Sequence, residues 1–200
     1  MLKPPRKPMP EGKRRLIAAA ARLATRQTHA MPGLRELARE AGLNHNTFYR
    51  HFANMDDLQN ATVQSFAELF RTARATIPTN THPPDALVAT IFAIATTHQD
   101  AFTLAIRILH GAPTPARARI QSFMDTLTED LATELKSLGV ITPTIPPARL
   151  HRLLSVNLHH VLTLAQRQIE TQSAPHSALA EAGELLTTLL AGAPSKTFFF

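Results

Sequence analysis

Apolar residues recur along most of this chain with the three-and-four spacing of amphipathic helices, and turn-forming residues separate the runs. One short run has its apolar positions at Leu34, Leu37, Ala38 and Ala41. Gly42 follows directly, and Gly tolerates the left-handed backbone conformation in which many helices end. The pattern therefore predicts a helix over residues 34–41 that stops at Gly42.

A second short helix, over residues 45–52, is predicted after this turn. Asn44 suits its N-cap, because an Asn side chain can accept an unpaired backbone N–H. Phe48 and Phe52 lie four residues apart and are expected to anchor the helix on the core. Asn54, with Asp57 three residues later, predicts the capped start of a third helix. The residues left facing outward are His45, Asn46, Thr47, Tyr49, Arg50 and His51.

Two short helices joined by a tight turn form a helix-turn-helix, whose second helix enters the major groove of DNA. The outward residues fit this role, because Asn and Arg can read base edges while Tyr, Thr and His can hold phosphates. The predicted DNA-contacting residues are Arg35, Asn44, His45, Asn46, Thr47, Tyr49, Arg50 and His51. The spacing alone also fits an ordinary helical hairpin with a solvated polar face.

The same segment resembles the DNA-binding domain of the TetR family of bacterial repressors, over about residues 12–60. The motifs that carry the resemblance are Leu37-Ala38-x-x-Ala41-Gly42-Leu43, Thr47-Phe48-Tyr49-Arg50-His51-Phe52 and Asp57-Leu58. More narrowly, LRELAREAGL, FYRHF and Met55-Asp56 resemble the FabR/DesT type, which controls unsaturated fatty-acid synthesis. The resemblance implies phosphate or groove contacts for Thr47, Tyr49 and His51.

The chain departs from the family pattern at two places. Met55 stands where many family members have a Lys, so the phosphate contact of that Lys is absent. Asn44-His45-Asn46 stands where the FabR type usually has a small residue, a proline and a hydroxyl residue. Since those positions read bases, we expect a different operator sequence.

The positive charge of the chain is concentrated in its first 58 residues. These carry eleven Lys and Arg against five Asp and Glu, whereas the other residues carry ten of each. The net charge of +6 therefore lies on the helix-turn-helix segment, as nucleic-acid binding requires. Residues 1–10 hold four prolines and three cations and predict an unstructured arm. Such an arm fits either DNA contact or a solubilising role.

The remaining apolar runs predict an all-α chain of about nine helices, with proline-rich segments at 78–84 and 141–147. The further helices are expected at 11–26, 55–76, 86–97, 100–110, 115–138, 147–171 and 176–191. Residues 1–55 are predicted to form the basic arm and a three-helix DNA-binding head. Residues 56–200 are predicted to form a helical bundle for ligand binding and dimerisation.

Two properties of this bundle are predicted. Helices 147–171 and 176–191 are more apolar than a core within one body needs, so we expect a homodimer through them. An apolar ligand cavity is expected among Phe66, Phe70, Phe92, Phe102, Phe123, Met124 and Leu127. These residues taken alone also fit a plain core. Residues 98–102 and 109–117 loosely resemble the FabR type, whose ligands are acyl thioesters, and this favours a hydrophobic effector.

The sequence carries no pattern typical of an enzyme. It contains no Cys, no GxSxG, Walker or GxGxxG motif and no HExxH pair among its ten His, so we expect no catalysis, cofactor or metal. His151, His159 and His160 are interpreted as surface or interface residues, with a structural metal site as the alternative. No apolar run reaches the ~20 residues of a membrane span. With no secretory signal recognised, we expect a cytoplasmic protein without a membrane partner.

The pattern as a whole predicts a sequence-specific transcriptional regulator, expected to be a repressor. A hydrophobic small molecule, with an acyl thioester as the candidate, would control its affinity for a double-stranded DNA operator. Two alternatives are a sensor of toxic hydrophobic compounds that controls an efflux pump, and a ligand-independent DNA-binding protein.

Overall fold

The computed structural model describes residues 9–26, 33–139, 145–172 and 184, and within them the chain forms eight helices and no strand. The helices are α1 (Glu11–Arg26), α2 (Leu34–Glu40), α3 (His45–Tyr49), α4 (Met55–Thr76), α5 (Pro83–Thr97), α6 (Gln99–His110), α7 (Pro115–Ser137) and α8 (Pro147–Thr171). The predicted all-α fold is confirmed. Apart from residue 184, the predicted ninth helix at 176–191 lies outside the described residues, as does most of segment 141–147.

Helix α1 is covered by several neighbours at once. It packs against α2, α3 and α4 and also against α6. Its large buried residues are Leu16 and Leu23, and the three consecutive alanines Ala19, Ala20 and Ala21 are also buried. Small side chains on adjacent faces let helices approach closely from two directions, which explains how this alanine-rich helix packs against four other helices.

Helix α4 connects the N-terminal helices to the rest of the chain. Its 22 residues span about 33 Å at 1.5 Å per residue. Near its start Leu58 is fully buried, and further along Phe66 and Phe70 are buried against later helices. A displacement of one end of α4 would therefore be transmitted to the other end.

Two helix boundaries differ from the predicted ones by three residues, whereas the ends of α2 and α7 and the start of α6 differ by one. Helix α5 begins at Pro83 rather than at residue 86, because Pro is well suited to the first turn of a helix, where its missing N–H costs nothing. Helix α3 ends at Tyr49 rather than at residue 52, because the carbonyl of Phe48 accepts from the N–H groups of both His51 and Phe52 and closes the last turn.

The buried apolar side chains form one cluster that extends from α1 to α8. Helix α5 lies within it, with Val88, Ile91 and Ile94 almost fully buried. The core therefore continues past residue 55, and the division into a head and a body that we expect there would be one of function within a continuous core.

Candidate nucleic-acid interface

The turn between α2 and α3 is held by backbone and side-chain hydrogen bonds. Gly42 has a φ of 62°, which Gly adopts at little cost. Its N–H donates to the Arg39 carbonyl at 3.0 Å, and the Leu43 N–H donates to the Ala38 carbonyl at 2.9 Å, the two bonds of a Schellman motif. Arg15 of α1 donates to the Gly42 carbonyl at 3.2 Å. The predicted helix stop at Gly42 is confirmed.

Helix α3 is only five residues long and depends on its cap and its anchors. The Asn44 Oδ1 atom accepts from the Asn46 N–H at 3.0 Å, so the predicted N-cap is confirmed. Phe48 and Phe52 are 0% and 1% exposed, with ring centroids 5.6 Å apart. Burying one such ring contributes about 1.5–3 kcal/mol. The ammonium of Lys13 on α1 lies 5.1 Å from the Phe52 centroid, within cation–π distance.

The residues predicted to contact DNA lie around this short helix and differ in exposure. Thr47 and His51 are half-buried. Tyr49 is 59% exposed, and its ring lies edge-on to Phe48 at 5.5 Å and to His45 at 6.0 Å. The other members of the set are exposed: Arg35, Asn44, His45, Asn46 and Arg50. One surface therefore presents amide, imidazole, phenol and guanidinium groups.

The start of α4 stabilises the C-terminal side of this surface. The Asn54 Oδ1 atom accepts from the Asp57 N–H at 2.9 Å. The Asp57 Oδ2 atom accepts in return from the N–H of Ala53, at 3.1 Å. In a standard capping box the return bond goes to the cap residue itself, so this bond reaches one residue further back. The connection from α3 to α4 is thereby fixed at two successive residues.

The cations of the first 58 residues are not all free to meet DNA. On α1, Arg14 pairs with Glu11, and Arg22 and Arg26 pair with Glu40 at 2.8 and 3.2 Å. Among the described residues, no ion pair involves the remaining exposed arginines of this segment: Arg15, Arg35, Arg39 and Arg50. The predicted basic surface is therefore narrower than the charge count suggested, and it is centred on α2 and α3.

Glu40 is the acidic centre of the junction between α1 and α2. Its side chain is 21% exposed, and Arg22 also donates to the Glu40 backbone carbonyl at 3.3 Å. The hydrogen bond from Arg22, together with the charges of Arg26 and Arg22, lowers the pKa of Glu40 below its ordinary value, although burial acts against this. The carboxylate is thus held charged between two guanidinium groups.

A small apolar cavity lies in the body, where a ligand cavity was predicted. Its free volume is about 10 Å³, the lower limit for holding one water molecule. Phe92 is buried but does not line it, whereas the other six predicted residues do. The full lining consists of Phe66, Phe70, Ile91, Ile94, Phe102, Phe123, Met124, Leu127, Leu158 and Leu162. The cavity is therefore closed in this conformation.

A wider cleft of about 500 Å³ opens to the surface between α4, α5 and α7. It shares Phe70, Phe123 and Leu127 with the closed cavity, and the rings of Phe70 and Phe123 meet edge to face at 5.5 Å. These three side chains separate the two spaces. The charged residues that line the cleft are Arg71, Arg74, Asp130 and Glu134.

A pair of histidines links the end of α6 to the middle of α8. The ring centroids of His110 and His159 are 6.4 Å apart, and the His159 Nδ1 atom lies 2.8 Å from the Ser155 carbonyl oxygen. Burial, followed by the positive charges of His159 and Arg117, lowers the pKa of His110. Among the described residues, no group of three or more His, Cys, Asp or Glu side chains could hold a metal ion. No helix in the same part of the chain combines the length and apolar character of a membrane span.

Several residues of the interface escaped sequence analysis. Arg15 supports the turn at Gly42, and the imidazole of His51 lies against Gly12 of α1. The cleft beside Phe70 was also not predicted. Each of these contacts joins residues far apart in the chain, and no local pattern marks such a pair.

Two comparisons of sequence bear on this surface. Residues 16–62 match the family model described as bacterial regulatory proteins, tetR family. A relative from Haemophilus influenzae, described as an uncharacterized HTH-type transcriptional regulator, is 33% identical over 129 residues. That match covers 60% of this chain and 63% of the relative, so it spans less than two thirds of the relative's length.

Solved structures resemble the chain over nearly its whole length. The fatty acid degradation regulator FadR from Bacillus halodurans matches with a TM-score of 0.71 and 17% identity, over 94% of this chain and 98% of that one. FadR from Bacillus subtilis in complex with stearoyl-CoA matches with a TM-score of 0.63 and 15% identity, over 90% and 99%. At such identities the likeness is one of fold. Residues 16–62 are therefore similar to the TetR family of bacterial regulatory proteins, and the chain has the TetR-like fold, an N-terminal helix-turn-helix followed by a helical domain.

Proposed function

We propose that this protein is a sequence-specific DNA-binding transcriptional regulator that acts as a repressor. One observation carries the proposal. The two phenylalanines of the FYRHF segment are buried, and this anchoring leaves His45, Asn46, Tyr49 and Arg50 exposed together on one short helix. The amide of Asn46, near the start of α3, and the guanidinium of Arg50, at its C-cap, can read base edges, and the flanking groups can hold phosphates.

DNA recognition would be shared by two copies of the chain. A dimer with a two-fold axis places two recognition helices on half-sites about one helical turn, ~34–36 Å, apart. Helix α8 supports this arrangement, since Val156 on it is a large apolar residue that is 64% exposed. We assign the dimer interface to the helix at 147–171 and to the predicted helix at 176–191.

A hydrophobic small molecule would control the affinity for DNA, and an acyl thioester is our candidate. One structural neighbour, FadR from Bacillus subtilis, is in complex with stearoyl-CoA. The cavity of this chain holds no more than about 10 Å³, so a long ligand can enter only if helices around it separate. Because the open cleft shares Phe70 and Phe123 with the cavity, the route we propose lies between α4 and α7. A ligand with that requirement binds one conformation better than another and shifts the population between them.

Two packing contacts would carry such a shift to the DNA-binding surface. Helix α4 runs from the cavity to the capped turn at Asn54, and α6 packs directly on α1. Both α4 and α6 contribute aromatic side chains to the cavity lining, through Phe66 and Phe102, whose ring centroids are 6.3 Å apart. A ligand that displaces these rings would therefore move helices that the head rests on.

The closed cavity also favours a second candidate, a DNA-binding protein that needs no ligand. A protein that binds no ligand needs no cavity among its core side chains, and the small free volume agrees with this. A sensor of toxic hydrophobic compounds that controls an efflux pump would share the fold and differ only in the ligand.

The DNA-binding part of the proposal is tested by genome-wide mapping of bound sites, followed by titration of the protein against a recovered site and a scrambled duplex. We expect a preference for the recovered site and an affinity for both duplexes that falls as salt rises. Equal affinity for both duplexes would contradict sequence-specific recognition. The promoters at the mapped sites would identify the regulated pathway.

Ligand control is tested on the preformed complex with operator DNA. We expect long-chain acyl thioesters, with stearoyl-CoA as the first probe, to release DNA from the unmodified chain. Leu127→Gln places an amide between the cleft and the cavity, so it should blunt the response. Leu138→Gln is the matched control, because Leu138 is 57% exposed at the end of α7.

The remaining outcomes separate the candidates. Release by hydrophobic drugs but not by acyl thioesters would favour the efflux sensor. No release by any compound of either panel would favour the ligand-independent protein. Loss of the response in Leu138→Gln as well would contradict the assignment of the ligand site to the cavity.

A further inference from the structure

The imidazole of His51 rests on the first turn of α1, at a place where that helix has no side chain. A Cβ atom built on Gly12 would lie 2.3 Å from the His51 Nε2 atom, 3.0 Å from Cδ2 and 3.2 Å from Cε1. Real Cβ atoms do not come that close to another heavy atom, so His51 can occupy this position only because residue 12 is Gly. Since Nε2 faces α1, Nδ1 lies on the far edge of the ring.

Gly is an unfavourable residue for this position of α1, because Gly is a poor helix former and Ala would stabilise the helix. Gly12 has no positive φ to accommodate, so the backbone conformation does not require Gly here. The three heavy atoms nearest to a Cβ atom at residue 12 all belong to His51, so an added methyl group would disturb this side chain first. The next residue of each segment makes a second contact at the same place, because the Lys13 ammonium lies over the Phe52 ring.

We propose that Gly12 is a positioning residue for DNA binding, which seats His51 with one ring nitrogen against α1 and the other directed to the DNA backbone. This inference rests on the proposed function of the surface. A methyl group at residue 12 would turn the imidazole away, and the turn is inexpensive for the fold because a side chain, not the backbone, must move. The contact to phosphate would then be lost while the protein remains folded.

The test is a double-mutant cycle of Gly12→Ala and His51→Ala, titrated against a mixed-sequence DNA duplex at one low salt concentration. Gly12→Ala should weaken binding about two- to tenfold, the loss of one hydrogen bond. In the His51→Ala background the same change should have no further effect. Thermal unfolding should show that Gly12→Ala is at least as stable as the unmodified chain. Gly33→Ala is the control: a Cβ at this N-cap of α2 meets nothing within 4 Å, so any effect of the change should be the same with and without the His51 side chain.

A second readout needs no DNA. The His51 ring signals, assigned by their loss in His51→Ala, should shift in the NMR spectrum of Gly12→Ala and stay in place in Gly33→Ala. Unchanged ring signals, or equal losses of affinity in both backgrounds of the cycle, would overturn the positioning role. Shifted ring signals in a chain that binds no duplex at all would contradict the proposed function instead and leave the seating of His51 supported.

Discussion

At the scale of single residues, neighbours on α3 have separate tasks. The Asn44 Oδ1 atom accepts the capping hydrogen bond, so the first role of Asn44 is structural. Asn46 gives its backbone N–H to that cap and keeps its side chain exposed. Tyr49 is exposed at its hydroxyl end while its ring contacts Phe48 and His45. These differences in contact predict which substitution changes affinity and which changes specificity.

Tyr49→Phe keeps both ring contacts and removes only the hydroxyl. We expect it to weaken binding to operator and to random DNA by the same factor, about 0.5–1.5 kcal/mol, because a phosphate contact carries no sequence information. Asn46→Ala should cost the operator about 1–3 kcal/mol and random DNA far less. Titration of both variants against operator and scrambled duplex at one salt concentration separates the roles. The division between positioning and reading is wrong if Tyr49→Phe loses only the operator.

At the scale of elements, charged side chains join α1 to α2 and to the turn after it. Arg22 and Arg26 reach across to Glu40, and Arg15 reaches to the turn that follows α2. This explains why a helix with so many cations can pack closely against its neighbour. It also means that the junction depends on one carboxylate, whose protonation can be controlled.

Glu40→Gln keeps the shape of the side chain and removes the charge. The pKa of Glu40 is lowered in the folded chain, so its contribution to stability is fully present above about pH 4.5 and is lost as the pH falls through the lowered value. We therefore expect the variant to be less stable than the unmodified chain at pH 7, with the difference shrinking in acid. Urea unfolding at pH 7 and pH 3 measures it.

Glu129→Gln on α7 is the control for charge removal, since Glu129 is exposed and takes part in no ion pair among the described residues. A deficit of Glu40→Gln that is the same at both pH values would mean that packing, and not the ion pairs, holds the junction.

At the scale of the whole molecule, we propose that the exposed face of α8 forms the interface to a second copy of the chain. Val156→Lys changes an exposed residue of α8, so the fold of one chain should not be affected. We expect the variant to be monomeric by light scattering, with unchanged helical circular dichroism, because a charge cannot be buried unpaired in an apolar interface. Ser122→Lys on the exposed face of α7 should leave the dimer intact. A dimeric Val156→Lys would exclude this face of α8 from the interface.

The sequence by itself determined what is local. The periodicity of apolar residues located each described helix, and Gly42, Asn44 and the Asn54–Asp57 pair marked their ends correctly, because caps and turns depend on residues a few positions apart. The clustering of positive charge on the first 58 residues is likewise a property of the sequence alone, because it follows from the number of Lys, Arg, Asp and Glu residues there.

Only the tertiary structure decided what depends on distance in space. It brought Glu40 between two arginines of α1, seated His51 on Gly12, left Phe92 out of the cavity lining and reduced the expected ligand cavity to about 10 Å³. It also placed Phe70 and Phe123, which come from different helices, between the cavity and the cleft. Such contacts arise where helices distant in the chain cross, and the side chains that meet there are chosen by the packing of the core.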